Sequence, residues 1–481
     1  MKRLHSVMKL RVLLAVLLGL LLPSGWASVA HAAPVTVTNG TQFADTAGNP
    51  VQAHGGGVLK VGSYYYWFGE NRNTDGTFRY VSVYRSTDLT TWVHDNDVLT
   101  QSSAGELAVA NIERPKVIYN SSTGKYVLWM HWENGSDYGQ ARVAVAESST
   151  VDGNYTYLGS FRPLGYDSRD MTVFRDDDGT AYLISATSVN ANLNVYQLTA
   201  DYHGVDHLVQ TLWAGSYREA PAMFKRNGVY FLLTSGATGW APNQQKYATA
   251  TSVAGTWGSL TNVGDSTGYA SQAAYVLPIQ GSSTTSYLYL GDRWAGAWGG
   301  SVNSSNYVWL PLTFGSSTSV SMNYYGTVSI DTATGAVSGL ASGYNNLVAR
   351  HSGKCGDVTG ASTANNAAVI QYTCSGGTNQ QWRLQNLNNG YYQIVARHSE
   401  KCLDVTSAST TAGAAIIQYT CGAGTNQQWQ LSSAGSGYYN LASRNSGLCL
   451  DVTSASTADH AAFDQFTCSG ATNQQWSLPA A

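Results

Sequence analysis

Five residues that could move a proton or grip a polar ligand recur at one place in a repeating pattern: His54, Glu113, Asp170, Glu219 and Gln272. Each stands just ahead of an apolar run, and each run passes through a polar turn into a second one. The pattern is clearest at Glu219. Ala-Pro-Ala-Met-Phe-Lys-Arg follows it, then Asn227-Gly228, then Val-Tyr-Phe-Leu-Leu-Thr-Ser. This reads as a strand, a two-residue hairpin turn and a second strand. Three of the five residues are carboxylic acids, in a chain with only 11% charged residues. Two carboxyl groups flanking one bond, one as acid and one activating water, are what glycoside hydrolysis needs.

The elements that must bring these residues together follow from their spacing. The steps from 54 to 113, 170, 219 and 272 are 59, 57, 49 and 53 residues. Five units of nearly one period predict radial repetition: an all-β, five-bladed β-propeller with about four strands per blade. In such a fold the innermost strands meet at one axis, so equivalent positions converge. Glu219 is then the best general acid. Ala220, Pro221, Ala222 and Met223 beside it would form an apolar wall that raises its pKa, and an ionised Asp170 on the neighbouring blade would push the same way. The bland alternative is a structural ion pair between Glu219 and Arg218.

The N-terminus reads as a secretory signal peptide over 1–33. Lys2, Arg3, Lys9 and Arg11 precede an 11-residue apolar stretch at 12–22, too short to span a bilayer, and Ala30-His31-Ala32 fits a cleavage site. Without those four cations, 22 Lys+Arg face 29 Asp+Glu, a formal charge of −7. An acidic balance argues against nucleic acid as a partner, and no later stretch is long enough to cross a membrane. Abundant Gly, Tyr and Trp fit a secreted β protein that binds neutral, hydroxyl-rich ligands, although aromatics are also good strand formers. A soluble, extracellular monomer is expected.

All six cysteines lie beyond residue 354, in a threefold repeat. Cys355, Cys402 and Cys449 are 47 apart, and Cys374, Cys421 and Cys468 keep the same step, as do Trp382, Trp429 and Trp476. Six cysteines allow 15 pairings; repeat symmetry makes one disulfide within each repeat the simplest. The composition change places a propeller domain at 34–335, a short small-residue linker at 336–343 and a second domain at 344–481. Spacing suitable for zinc is absent.

The Gln-x-Trp triplets at Gln380, Gln427 and Gln474 make the tail resemble a ricin-type β-trefoil, carbohydrate-binding module family 13. For the tryptophans themselves, core packing is the favoured reading. The resemblance implies sugar contacts at Asp357, Tyr372 and Asn379, at Asp404, Tyr419 and Asn426, and at Asp451, Phe466 and Asn473. The repeats are not equal: Ile370 and Ile417 stand where the third repeat has Asp464, and Gly356 stands where the others have Leu.

Glu-Ala-Pro at 219–221 and Ser-Arg-Asp-Met at 168–171 make the first domain resemble glycoside hydrolase family 43. The resemblance implies that Glu219 is the general acid and that Asp170 tunes and orients it. The family's usual base, an Asp opening the first blade, is replaced here by Gln52-Ala53-His54-Gly55. Ala-His-Gly-Gly-Gly (53–57), Tyr-Trp-Phe-Gly-Glu (66–70), Glu-Arg-Pro-Lys-Val (113–117), Thr-Ser-Gly-Ala-Thr-Gly-Trp (234–240) and Gly-Asp-Arg-Trp (291–294) together resemble the exo-β-1,3-galactanase subfamily. That resemblance implies Gln272 on the water side with Glu113 nearby, and Glu70, Tyr138 and Asp170 in the sugar site. A neutral amide is a weak base unless it reacts as its imidic tautomer, so Glu113 is the simpler base on physical grounds. Gln272 is then expected to position the water, with Glu113 driving or supporting the attack. Trp240 and Trp294 would stack on galactose or pack the core. His54 would either touch substrate or satisfy backbone groups at the axis. No cofactor is called for; some family members hold a structural Ca²⁺ near the axis, and nothing in these residues demands one. The expected activity is inverting release of galactose from the β-1,3-galactan main chain of arabinogalactan. The alternatives are an arabinofuranosidase or β-xylosidase of the same family, or a non-catalytic lectin with two galactan sites.

Overall fold

The computed structural model describes residues 34–340, 343–387, 391–435, 438–479 and 481. The expected signal peptide lies outside them. Five four-stranded antiparallel sheets follow one another along the chain. Their first strands are His54–Val61, Asn111–Asn120, Met171–Arg175, Arg218–Arg226 and Gln272–Gln280. Each first strand packs on the next, and the fifth returns to the first, so the five close a ring. This is a propeller-like arrangement of sheets.

Local chemistry explains the hairpins. Asn227 and Gly228 both have positive φ, 49° and 79°, between the paired residues Arg226 and Val229. That geometry matches the twist of the flanking strands, and Asn-Gly tolerates it best. Apolar side chains fill the wedges between neighbouring sheets. Leu128 and Met130 of the second sheet pack with Phe68 and Val83 of the first, and Leu183 and Tyr196 of the third pack with Trp129 and Val145 of the second.

The ring is closed by a separate three-stranded sheet, in which Val35–Thr38 pairs with Thr327–Asp331 and that strand with Ala336–Leu340. Val37, Val328 and Ile330 enter the wedge between fifth and first sheets beside Trp67 and Trp309. The stretch expected as a linker, 336–343, therefore begins as a strand. Its small residues have a packing reason: a side chain at Gly339 would meet the Tyr325 ring at 2.0 Å. Residues 341–342 lie outside the described part.

Beyond 343 the strands build one continuous sheet in the three-part pattern expected of a β-trefoil. Trp382, Trp429 and Trp476 are fully buried in its core, and their indole N–H groups donate to the carbonyls of Gly356, Leu403 and Leu450. The Gln of each triplet serves the fold too: Gln380 Oε1 accepts from Ser375 N and its Nε2 donates to Thr373 O. Disulfides join Cys355 to Cys374, Cys402 to Cys421 and Cys449 to Cys468. Among the described residues no helix is long and apolar enough to cross a membrane.

Candidate active site

The first strands carry the functional side chains, and a shared irregularity aims them. Pairing slips directly after His54, after Glu113 and after Glu219. The next residue in each case, Gly55, Arg114 or Ala220, has φ of 50–60°. An extra residue at such a bulge re-aims the neighbouring side chains. At the ring's centre Glu113, Asp170, Glu219 and Gln272 line one pocket of about 350 Å³. Residues up to 159 apart in sequence, 113 to 272, thus share one cavity.

Glu219 is buried but for 8% of its surface. Its Oε1 accepts from Gln272 Nε2 at 3.0 Å and its Oε2 from Asn190 Nδ2 at 3.2 Å. Burial and then the charge of Asp170 raise its pKa to about 8, against the pull of Arg114 and the Gln272 hydrogen bond. That shift favours the protonated form at neutral pH. Asp170 Oδ2 accepts from Ala220 N at 3.1 Å, which ties the carboxylate to the strand bearing Glu219. Arg218 does not pair with Glu219: its guanidinium donates to Thr234 Oγ1 and Thr234 O.

Gln272 uses every hydrogen-bonding position it has. Oε1 accepts from Arg114 Nη2 at 2.5 Å and Trp294 Nε1 at 2.7 Å, while Nε2 donates to Glu219 and, at 2.8 Å, to Ser235 Oγ. Arg114 and Trp294 carry donors only, so the oxygen must face them. An imidic O–H would point at two other donors, and this surrounding favours the ordinary amide. Arg114 also forms an ion pair with Asp170 at 2.9 Å and donates to Ala273 O. One guanidinium thus fixes two of the predicted catalytic groups.

The opposite wall is a charged network. Glu113 Oε1 accepts from Arg72 Nη2 at 2.9 Å and Tyr138 Oη at 2.5 Å, and its Oε2 faces His131 Nδ1 at 3.1 Å. Burial pushes Glu113 up, but His131, Arg72 and Tyr138 outweigh it and hold the carboxyl well below the usual range. Such a carboxylate stays ionised and accepts a proton poorly. His131 Nε2 meets Glu133 Oε1 at 3.0 Å; its two carboxylate partners overcome burial and raise it to about 9. Glu70 holds Arg72 from below, and burial raises its pKa despite that cation. Glu113, His131 and Asp170 bring metal-ligand atoms within 4.8 Å of one another. Their atoms also pair with one another and with Arg72 and Arg114.

The structure places two residues whose readings were open, His54 and Trp294. His54 is fully buried and does not reach the pocket. Its Nδ1 donates to Asp292 Oδ1 at 2.9 Å and its ring stacks on Tyr307, because the bulge at Gly55 turns it toward the fifth sheet. Gly55 N donates to the same carboxylate, so His54 joins the first sheet to the fifth. Trp294 lines the pocket but is only 6% exposed. It carries Arg114 on its ring and Gln272 on its N–H, whereas Trp240, also lining the pocket, is 41% exposed. Glu70 and Tyr138 do line the cavity. Arg72, Arg114, His131 and Asn190 were missed. Arg114 was visible beside Glu113, but nothing in the sequence says which groups its long side chain reaches.

In the trefoil, Asp357, Asp404 and Asp451 each accept from the matching Asn379, Asn426 or Asn473 at 2.8–2.9 Å. The aromatic beside each differs: Tyr372 packs on His460, whereas Tyr419 and Phe466 are 41% and 50% exposed. In the third repeat Asp464 pairs across the strands with Asp451. Burial first, and then Asp451's charge, raise its pKa to about 6 against a hydrogen bond from Thr453.

Residues 48–272 match the family described as glycosyl hydrolases family 43, and residues 343–478 match the ricin-type beta-trefoil lectin domain. Among solved structures the chain is similar to an exo-β-1,3-galactanase from Clostridium thermocellum, at 49% identity over 93% of this chain and 100% of that one, with a TM-score of 0.65. It is similar to an exo-β-1,3-galactanase from Phanerochaete chrysosporium holding β-1,3-galactotriose, at 31% identity over 92% of each chain, TM-score 0.60. A family 43 β-1,3-galactosidase with galactodeoxynojirimycin aligns over 60% of this chain and 99% of its own, at 32% identity, TM-score 0.57. No curated protein sequence matches the chain. The chain belongs to glycosyl hydrolase family 43 and is a glycoside hydrolase with a ricin-type lectin domain. The resemblance to the exo-β-1,3-galactanase subfamily read from its motifs is shown by the same neighbours.

Proposed function

We propose that this chain is a secreted, inverting exo-β-1,3-galactanase that releases galactose from the β-1,3-galactan main chain of arabinogalactan. Its trefoil would hold it on the polysaccharide, and its five sheets would be the blades of a five-bladed propeller. One observation carries the reading. Glu219, whose pKa burial and Asp170 raise, meets Asp170, Glu113 and Gln272 around one small cavity, the setting that acid-assisted cleavage of a sugar bond requires.

In this mechanism Glu219 gives its proton to the oxygen of the leaving sugar as that bond breaks. Asp170 keeps the acid protonated beforehand and holds its strand through Ala220 N. Water enters from the side of Glu113. That carboxylate orients the water, stabilises the positive ring that develops, and receives the water's proton only as the new bond forms. Its low basicity makes support, more than drive, its part. Gln272, held by Arg114 and Trp294, keeps the acid and the water site in register. Three disulfides fit an oxidising, extracellular setting, and the chain is proposed to act as a monomer.

Chromatography of the products from β-1,3-galactan and from arabinoxylan tests the reading. Galactose alone from galactan is expected, with none from Glu219→Gln, while retention on the polysaccharide stays intact. Release of arabinose or xylose instead points to the sister activities. No release from any glycan by the intact chain points to a lectin. Near-normal hydrolysis by a variant with both Glu113 and Gln272 changed to Ala would remove the water-side assignment.

A further inference from the structure

Beside the catalytic pocket lies a narrow second hollow that shares Gly239, Trp240, Gln272 and Trp294 with it and has Trp298 on its rim. Trp298 is 61% exposed and Trp240 41%, so two open indoles share this one hollow and form an apolar patch larger than either alone. Its turn, Ala295–Trp298, is held in place. Ala295 N donates to Ser305 Oγ at 3.0 Å, and Gly296 lies so close to Trp240 that a side chain there would meet its ring at 2.8 Å. The adjoining turn is tied to the first sheet, where Asn303 Nδ2 donates to Arg72 O at 2.7 Å and Arg72 N donates to Asn303 Oδ1 at 3.1 Å. The backbone that bears Trp298 is therefore fixed, and the two tryptophans line one hollow that shares residues with the pocket of Glu219.

We propose that Trp298 and Trp240 form a ledge on which the galactan residues beyond the scissile bond rest. This deepens the reading above and depends on it: an enzyme that takes one terminal sugar into its pocket leaves the rest of the chain outside, across the rim. An aromatic ring offers those sugars a flat partner for their apolar C–H faces. The occupant is the leaving part of the substrate, and the effect of the ledge grows with chain length.

The experiment compares kcat/KM on β-1,3-galactobiose and β-1,3-galactotetraose for the wild type, Trp298→Ala and Trp298→Phe. The tetraose-to-biose ratio should fall about five-fold in Trp298→Ala, the scale of one aromatic stacking contact, and recover most of that in Trp298→Phe. An unchanged ratio overturns the inference. A wild type inert on both sugars defeats the proposed activity instead. In that case the tetraose-induced change in tryptophan emission is read: a smaller change than wild type in both Trp298→Phe and Trp240→Phe supports the ledge, and an undiminished change in either rejects it.

Discussion

Gln272 Nε2 lies 3.0 Å from Glu219 Oε1 and donates to it. The amide therefore sits beside the acid. In an inverting site the two carboxyl groups stand roughly 6.5–9.5 Å apart to admit water, and Gln272 touches the proposed acid directly while helping to hold the water site. Changing Gln272 to Glu places a second carboxyl in that contact, still gripped by Arg114 and Trp294. The new group should take the negative charge, and Glu219 should hold its proton harder. The alkaline limb of the kcat/KM profile is expected to move up by about one unit or more. A limb that stays put or moves down would place Gln272 away from the acid in the working enzyme.

Glu219, as the proposed acid, is expected to set the alkaline limb of the wild type. Its pKa near 8 means that activity should fall as pH rises through that value, because only the protonated form donates. Asp170→Asn removes the charge that reinforces burial, so the limb should shift to lower pH. The rate should also drop about 10–100-fold as the anchor on Ala220 N weakens. Rates measured across pH 5–10 decide both points.

Arg114 holds Asp170, Gln272 and the carbonyl of Ala273 at once. Arg114→Ala should cost about 10²-fold in kcat through misplacement of those groups. Arg114→Lys should recover little, since an ammonium cannot span three partners in a planar fork. A lysine variant with near-normal kcat would show that charge alone suffices.

His131 is a stability element with a defined pH window. Its pKa rises from the ordinary 6.5 to about 9 in the fold. A histidine raised in this way stabilises fully below about 6.5, and that stabilisation fades as pH climbs through about 9. For a fully buried group the scale is about 3 kcal/mol. The wild-type Tm should therefore decline between pH 7 and 9.5, and His131→Gln should start lower and show a flatter profile.

Asp464 works in the opposite sense from a paired carboxylate. Its pKa is raised to about 6, so its contribution is most favourable below about 4 and is lost as pH rises through 6. Partial solvent access limits the penalty at neutral pH to about 1 kcal/mol. Asp464→Asn should raise the Tm at pH 8 and leave it nearly unchanged at pH 4. A loss of stability at pH 8 would show that the charge is used by the fold.

The repeat of His54, Glu113, Asp170, Glu219 and Gln272 was legible because a ring of sheets imposes one period on the chain. Hairpin turns such as Asn227-Gly228 are local and carry their own residue preferences. The pairing of the cysteines was legible because three copies of one unit constrain each other. Depth in the core was also readable for Trp382, Trp429 and Trp476, which recur at one step in an apolar setting.

His54 shows where that legibility stopped. It shares the period, yet the bulge at Gly55 turns its ring to Asp292, 238 residues away. The strand at Ala336–Leu340 pairs with its near neighbour Thr327–Asp331, but its small residues read as a linker because the Tyr325 ring that packs on Gly339 is evident only in the fold. Composition and spacing along this chain were enough to define repeated β units, a cysteine-stapled tail and the set of acids at the axis. Only the tertiary structure decided what those acids are. Arg114 and His131 sit near Glu113 in the chain, but proton affinity depends on distances through space, on burial and on neighbouring charge, and those exist only once the sheets have closed.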